Sequence, residues 1–123
     1  MICLFIVPSV AFSQRTVTNA TDNFTYKKTA ERNLKIYSIK PPTWKKTKQY
    51  PSIVFYFGGA LIKRNLNQLE NIAQEFSENG YVAFLADYRV KSRENVTALD
   101  CISDARDAFA FVRENADRFS LDD

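Results

Sequence analysis

The octapeptide Ile53-Val54-Phe55-Tyr56-Phe57-Gly58-Gly59-Ala60 is the most informative stretch of this 123-residue chain. Five consecutive apolar residues predict a strand that is covered on both faces, as in a parallel sheet. The two glycines and the alanine that follow allow a sharp backbone turn with few side chains in the way. In open α/β sheets, ligands bind beyond the carboxyl ends of the strands, and this turn is predicted to lie there. A plain tight turn would use the same residues.

A second apolar run, Tyr81 to Ala86, predicts another buried strand. Between the two runs, Asn67 to Asn79 carries apolar residues at helical spacing, and Gly80 stands where a helix commonly ends on glycine. Strand, helix and strand make a βαβ unit, for which a right-handed crossover is expected.

Two further strands are predicted before this unit, at Phe24 to Lys28 and at Leu34 to Ile39. The second alternates imperfectly between apolar and polar residues, which indicates an antiparallel pair with one solvent-facing side. Pro41-Pro42 ends the pair, because proline lacks the N–H that a strand ladder needs.

A long amphipathic helix is predicted after the βαβ unit. Thr97 and Asp100 have the spacing of a capping box, in which each residue satisfies an amide of the other. An apolar stripe at helical spacing then follows. The acidic residues Asp100, Asp104 and Asp107 share one helix face, which is expected to be solvated rather than a paired-carboxylate site. The stripe consists of Ala98, Cys101, Ile102, Ala105, Ala108, Phe109, Val112 and Ala116.

The amino-terminal residues predict a secretory leader. Ile2 to Phe12 is apolar and uncharged but too short to span a bilayer, and Ala11-Phe12-Ser13 offers a cleavage site. A basic segment before the apolar run is missing, and a buried strand is the alternative. We therefore expect a signal peptide at residues 1–13, a domain at 14–123, a secreted or periplasmic location and no stable membrane anchor. After cleavage, Cys101 would be the only cysteine, expected as a small core residue.

The net charge of +3 conceals an asymmetry between the two halves of the chain. Residues 15–64 hold 11 Lys or Arg and 2 acids, whereas residues 65–123 hold 6 Lys or Arg and 12 acids. A basic half can indicate a nucleic-acid partner. Because the basic residues are scattered without a basic helix or a nucleic-acid motif, a solvated basic face is the interpretation we favour.

Three separated motifs resemble the α/β-hydrolase superfamily of the esterase and lipase type. Residues 53–60 are similar to its oxyanion-hole strand and loop, where the usual pattern is His-Gly-Gly-Gly or His-Gly-Gly-Ala. Asp87-Tyr88-Arg89 is similar to the ending of the next strand, and residues 104–116 resemble the helix before the nucleophile elbow. The likeness is strongest to feruloyl and acetyl-xylan esterase-like proteins. It implies an α/β fold with a three-layer sandwich, of which an antiparallel hairpin followed by β-α-β-α is the incomplete amino-terminal part.

The resemblance also implies roles for individual residues. The backbone N–H groups of Gly59 and Ala60 would be the oxyanion donors, and Gly58 would give the turn. Asp87-Tyr88-Arg89 would brace the loops around the site, although a structural ion-pair cluster explains them equally well. Phe57 stands where the family has its loop-orienting histidine, which weakens the motif without removing it.

The residues that perform the family's chemistry are not in this sequence. With only Gly58, Gly59 and Gly80, no Gly-x-Ser-x-Gly can be written, and there is no histidine to act as a base. No cofactor or metal is expected, since the sequence offers no zinc-ligand set. The preferred hypothesis is a fragment of a secreted carboxylic-ester hydrolase acting on a small-molecule or polysaccharide-linked ester. The alternatives are a non-catalytic pseudoenzyme fragment or interaction module, and a serine peptidase of the same superfamily. An open edge on the strand at residues 53–57 would favour self-association.

Overall fold

The computed structural model describes residues 20–58 and 69–122. This part of the chain forms a mixed sheet with helices on both faces. The strands are β1 (Asp22–Lys28), β2 (Asn33–Ile39), β3 (Ser52–Tyr56) and β4 (Val82–Ala86). The helices are α1 (Glu70–Glu78), α2 (Lys91–Glu94), α3 (Ala98–Glu114) and α4 (Ala116–Phe119).

The strand order in the sheet is β1-β2-β4-β3. β1 pairs antiparallel with β2, β2 pairs antiparallel with β4, and β3 runs parallel to β4. The crossover from β3 to β4 contains α1, which confirms the predicted βαβ unit. Its helix ends as expected, with Gly80 in the left-handed region at φ +92°.

Apolar side chains of β4 cover both faces of the sheet, because all five of its residues are buried. On one face, Ala83 and Leu85 lie in a core with Ala73 of α1. On the other face, Phe84 packs in a core with Val112 of α3. The α/β class and its three layers are therefore confirmed in the described part of the chain.

β2 differs from its expected pattern of one solvent-facing side. Apart from its first residue and Lys35, every residue of the strand is buried, including the polar Ser38. The strand lies between β1 and β4, so both of its edges are paired. Packing against both neighbours and both helical layers overrides the partial alternation in its sequence.

The predicted capping box starts α3. The Thr97 side chain accepts a hydrogen bond from the backbone N–H of Asp100, and the Asp100 carboxylate accepts one from the N–H of Thr97 at 2.8 Å. The buried face of the helix differs in part from the predicted stripe. Ile102 and Phe109 are about half exposed, and Leu99 is 77% exposed. The buried residues of the helix are Cys101, Asp104, Ala108 and Val112.

β3 lies at one edge of the described sheet and is less covered than its neighbour β4. Its four residues from Ile53 to Tyr56 are only partly buried, although their sequence is as apolar as that of β4. Beside the start of this strand, Leu121 forms an isolated parallel bridge with Tyr50. The N–H of Tyr50 donates to the carbonyl of Ser120 at 2.8 Å, and the N–H of Asp122 donates to the carbonyl of Tyr50 at 2.9 Å. The described helices include none that is both long and apolar enough to cross a membrane.

Candidate functional site

The candidate site lies at the carboxyl ends of β3 and β4. These two strands are parallel and pair in register up to Tyr56 and Ala86. The segments that follow them, Phe57-Gly58 and Asp87-Tyr88-Arg89, therefore leave the sheet side by side at the same edge. In an open α/β sheet this edge is where ligands bind.

Phe57 and Tyr88 connect the two segments. Their rings are stacked almost parallel, with centroids 4.1 Å apart and an interplanar angle of 5°. The Tyr88 hydroxyl donates a hydrogen bond of 2.6 Å to the backbone carbonyl of Phe57. Both side chains are buried, and burial raises the pKa of Tyr88 above its usual value. The phenol therefore stays protonated and remains a donor at neutral pH.

Asp87 is held by an arginine from the turn between β1 and β2. The Arg32 guanidinium forms an ion pair with the buried Asp87 carboxylate and a second one with Glu94, at 2.8 Å. It also donates to the backbone carbonyl of Tyr88 at 3.3 Å. The Tyr26 hydroxyl donates to the backbone carbonyl of Asp87. Burial raises the pKa of Tyr26, so this hydroxyl is also a permanent donor.

Arg89 extends in another direction, to the helix α3. Its Nε lies 2.9 Å from Oδ2 of Asp104, and its backbone N–H donates to the same oxygen at 3.1 Å. A further ion pair at 3.1 Å joins Arg89 to Glu31. Hydrogen bonding to Asp104 is the main reason that the pKa of Arg89 is raised, so the guanidinium is always charged.

Asp104 corrects the prediction of a solvated acidic face on α3. Its side chain is 0% exposed and binds Lys27 at 2.8 Å in addition to Arg89. Burial alone would raise the pKa of Asp104, but hydrogen bonds from Arg89 and Lys27 outweigh it and hold the pKa below its usual value. Asp107, one turn along the helix, shares Lys27 at 2.7 Å but is about half exposed.

These ion pairs also revise the interpretation of the charge asymmetry. Lys27 and Arg32 belong to the basic half of the chain, and their partners Asp87, Glu94 and Asp104 belong to the acidic half. Part of the basic charge is thus neutralised inside the fold instead of lying on a solvated face.

The structure brings most of the predicted site residues together. Phe57 contacts Tyr88, whose neighbours Asp87 and Arg89 bind other segments as described above, and Gly58 follows Phe57 with its surface exposed. The proposed oxyanion donors Gly59 and Ala60 lie outside the described residues. Whether Asp87-Tyr88-Arg89 brace the loops around the site or form only a structural ion-pair cluster stays a prediction.

Sequence reasoning missed Arg32, Glu94 and Asp104 as members of this cluster. One pattern could have identified Asp104: it stands three residues after Cys101 and four before Ala108, on the buried face of α3. Nothing in the local sequence distinguishes Arg32 or Glu94 from solvated residues, because Arg32 is 55 residues from its partner Asp87 and 62 from its partner Glu94.

The cluster is suited to rigid positioning and not to proton transfer. Asp87 is paired with Arg32. Hydrogen bonds from Arg89 and Lys27 hold the pKa of Asp104 below its usual value, so this carboxylate is a weak base. Across residues 20–58 and 69–122, no three side chains of the metal-binding types are grouped where they could hold an ion.

Comparison with known proteins identifies a family. Residues 34–123, well over half of the chain, match the BD-FAE family model. No curated protein matches the chain significantly.

Solved structures of a thermophilic esterase from the planctomycete Thermogutta terrifontis are similar to the chain. The native form is 38% identical with a TM-score of 0.82, over 86% of this chain and 38% of the esterase. The propionate-bound form is 36% identical with a TM-score of 0.84, over 89% of this chain and 40% of the esterase. The form phosphorylated by paraoxon is 37% identical with a TM-score of 0.82, over 87% of this chain and 41% of the esterase. The chain thus spans about two fifths of the length of these esterases.

Proposed function

The chain belongs to the BD-FAE family of esterase-like α/β-hydrolases, and on that premise we propose that it supplies the oxyanion-hole part of a secreted serine hydrolase that cleaves carboxylic esters. The observation that carries this proposal is the position of Phe57-Gly58 at the carboxyl end of β3, fixed by Tyr88. The similar Thermogutta esterase supports the ester specificity, because its structures include a propionate-bound and a paraoxon-phosphorylated form.

In this proposal the backbone N–H groups of Gly59 and Ala60 bind the negative oxygen of the tetrahedral intermediate. Hydrogen-bond donors that are already in place where charge develops stabilise a transition state without reorganisation. Gly58 gives the backbone the freedom to turn these amides towards the substrate. Phe57 and Asp87-Tyr88-Arg89 keep the start of the loop in place through the contacts described above.

The attacking hydroxyl and its base come from residues outside this sequence. A serine becomes a nucleophile when a neighbouring base accepts its proton, and this sequence contains no histidine. Substrates of the complete enzyme would be small-molecule or polysaccharide-linked esters. Secretion is proposed from the apolar leader at residues 2–12 with its small residues before Gln14.

The test measures hydrolysis of p-nitrophenyl acetate and p-nitrophenyl butyrate by the protein that carries this sequence. The kcat of the wild type is compared with that of two variants. Ala60→Pro removes one proposed donor, since proline has no N–H, and should lower kcat by about 100-fold to 1,000-fold. Ala60→Gly retains the N–H and should stay within about tenfold of wild type. Equal activity of Ala60→Pro and wild type would refute the assignment of this donor.

A non-catalytic role is the second candidate, and Phe57 is the observation that favours it. The residue stands where the related enzymes have a histidine that orients the loop. A protein that folds but cleaves neither these esters nor a panel of peptide p-nitroanilides would support this candidate. Cleavage of the anilides without the esters would favour the peptidase alternative.

A further inference from the structure

We propose that Tyr88 is a positioning residue for ester hydrolysis, which fixes the orientation of the Phe57–Gly58 peptide that precedes the proposed donors Gly59 and Ala60. This inference rests on the proposed function and deepens it. It assigns to Tyr88 and Phe57 together the loop-orienting role that the motif resemblance gives to a histidine at the position of Phe57.

The hydrogen bond from Tyr88 acts on the peptide unit that begins the loop. Its hydroxyl lies 2.6 Å from the carbonyl oxygen of Phe57. That oxygen and the N–H of Gly58 belong to one planar peptide group. Fixing the carbonyl therefore also fixes the N–H and the Cα of Gly58, from which the path to Gly59 starts.

The stacked rings add a second constraint on the same residue. Phe57 is 3% exposed and Tyr88 is 4% exposed, so water has little access to compete for the Phe57 carbonyl. The almost parallel rings restrict the Phe57 side chain, while the hydroxyl restricts its backbone. A histidine is therefore not needed to hold this position.

Tyr88 can orient its neighbour because it is itself fixed from two sides. The residue before it, Asp87, is paired with Arg32 of the turn between β1 and β2. The residue after it, Arg89, is bound to Asp104 of α3 through both its side chain and its backbone N–H. Three consecutive residues thus contact three different segments, and the tyrosine between the two ion pairs has little freedom to move.

The experiment compares Tyr88→Phe with Tyr56→Phe in the protein that carries this sequence. Each variant removes one hydroxyl that donates to a backbone carbonyl, since Tyr56 donates to Ala105 of α3 at 2.9 Å. Only the first bond acts on the loop. We expect Tyr88→Phe to lower kcat for p-nitrophenyl butyrate about tenfold and to change KM less than about twofold. A lower kcat with a nearly constant KM indicates that stabilisation of the transition state, and not substrate binding, is lost. Tyr56→Phe should leave both constants within about twofold of wild type.

Hydrogen exchange of the amides of residues 58–60 gives a readout that does not depend on activity. Tyr88→Phe should speed their exchange about tenfold, whereas Tyr56→Phe should not. If Tyr88→Phe does not fold, Phe57→Leu takes its place, because it removes the stacked ring and should also speed this exchange.

The outcomes separate the two proposals. If the wild type is active and Tyr88→Phe has the same kcat, the positioning role is overturned. It is also overturned if Tyr56→Phe lowers kcat as much as Tyr88→Phe does. In both cases the esterase proposal still stands. A wild-type protein without hydrolase activity would overturn the esterase proposal, and the role of Tyr88 in catalysis with it. The exchange rates would then still decide whether Tyr88 fixes the loop.

Discussion

Arg89 binds the fully buried carboxylate of Asp104 through two nitrogens, with Nε 2.9 Å from Oδ2 and Nη2 3.0 Å from Oδ1. The two residues lie on different elements, since Arg89 follows β4 and Asp104 belongs to α3. A two-nitrogen contact of this kind fixes the relative orientation of both groups. The pair therefore connects the segment that contains Tyr88 to the helical layer of the fold.

Replacing Asp104 by asparagine should destabilise the fold strongly. The substitution leaves Arg89 without its buried counter-ion and weakens the contact with Lys27, so the free energy of unfolding should fall by about 3–5 kcal/mol. Asp107→Asn is the matched control, because Asp107 shares Lys27 but is about half exposed. Its cost should be below about 1 kcal/mol. Urea denaturation of both variants measures the difference, and equal losses would contradict the prediction.

The contribution of Asp104 should disappear in acid. Its pKa in the folded chain is held below the usual 3.8 by hydrogen bonds from Arg89 and Lys27, which outweigh the effect of burial. A group whose pKa is lowered by folding stabilises the folded state above its unfolded pKa and loses that contribution as the pH falls through its folded pKa. The gap in unfolding free energy between wild type and Asp104→Asn should therefore be constant near neutral pH and shrink below about pH 4. A difference in unfolding free energy that is the same at every pH would contradict the predicted loss of this contribution in acid.

The capping box at the start of α3 should contribute measurably to stability. Thr97→Ala removes the hydroxyl that accepts from the Asp100 N–H and should cost about 1 kcal/mol of unfolding free energy. Thr97→Ser retains an acceptor at the same place and should cost less than half as much. Thermal unfolding followed by circular dichroism compares the two variants, and similar melting temperatures for both would argue against a role of the hydroxyl.

The 123-residue chain on its own should self-associate. β3 lies at one edge of the described sheet with its residues only partly buried, and Phe109 of α3 is about half exposed near it. Uncovered strand edges and apolar surfaces promote pairing between chains. Size-exclusion chromatography with light scattering should give oligomers or aggregates, and Phe109→Lys should shift the distribution towards monomer. A monodisperse wild-type monomer would contradict the expectation.

The local sequence determined the four strands, the two longer helices and their order, but it did not predict the short helices α2 and α4. Continuous apolar runs specified the strands β3 and β4, helical spacing specified α1 and α3, and Thr97 with Asp100 specified where α3 begins. Such patterns depend on residues within a few positions of one another, so they can be recognised without knowledge of the fold. They also placed the Gly58 turn and Asp87-Tyr88-Arg89 at the ends of two parallel strands.

Only the tertiary structure decided which side chains hold that site together. Tyr88 meets Phe57 across 31 residues, and Arg32 meets Asp87 across 55. Asp104 is polar in the sequence and completely buried in the fold, because Arg89 and Lys27 compensate its charge there. The cost of burying a charge depends on partners that folding brings close, and these partners are far apart in the sequence. The same reason explains why β2 is buried despite its partial alternation, since β1 and β4 pair with its two edges and the cores beneath the helices cover its two faces.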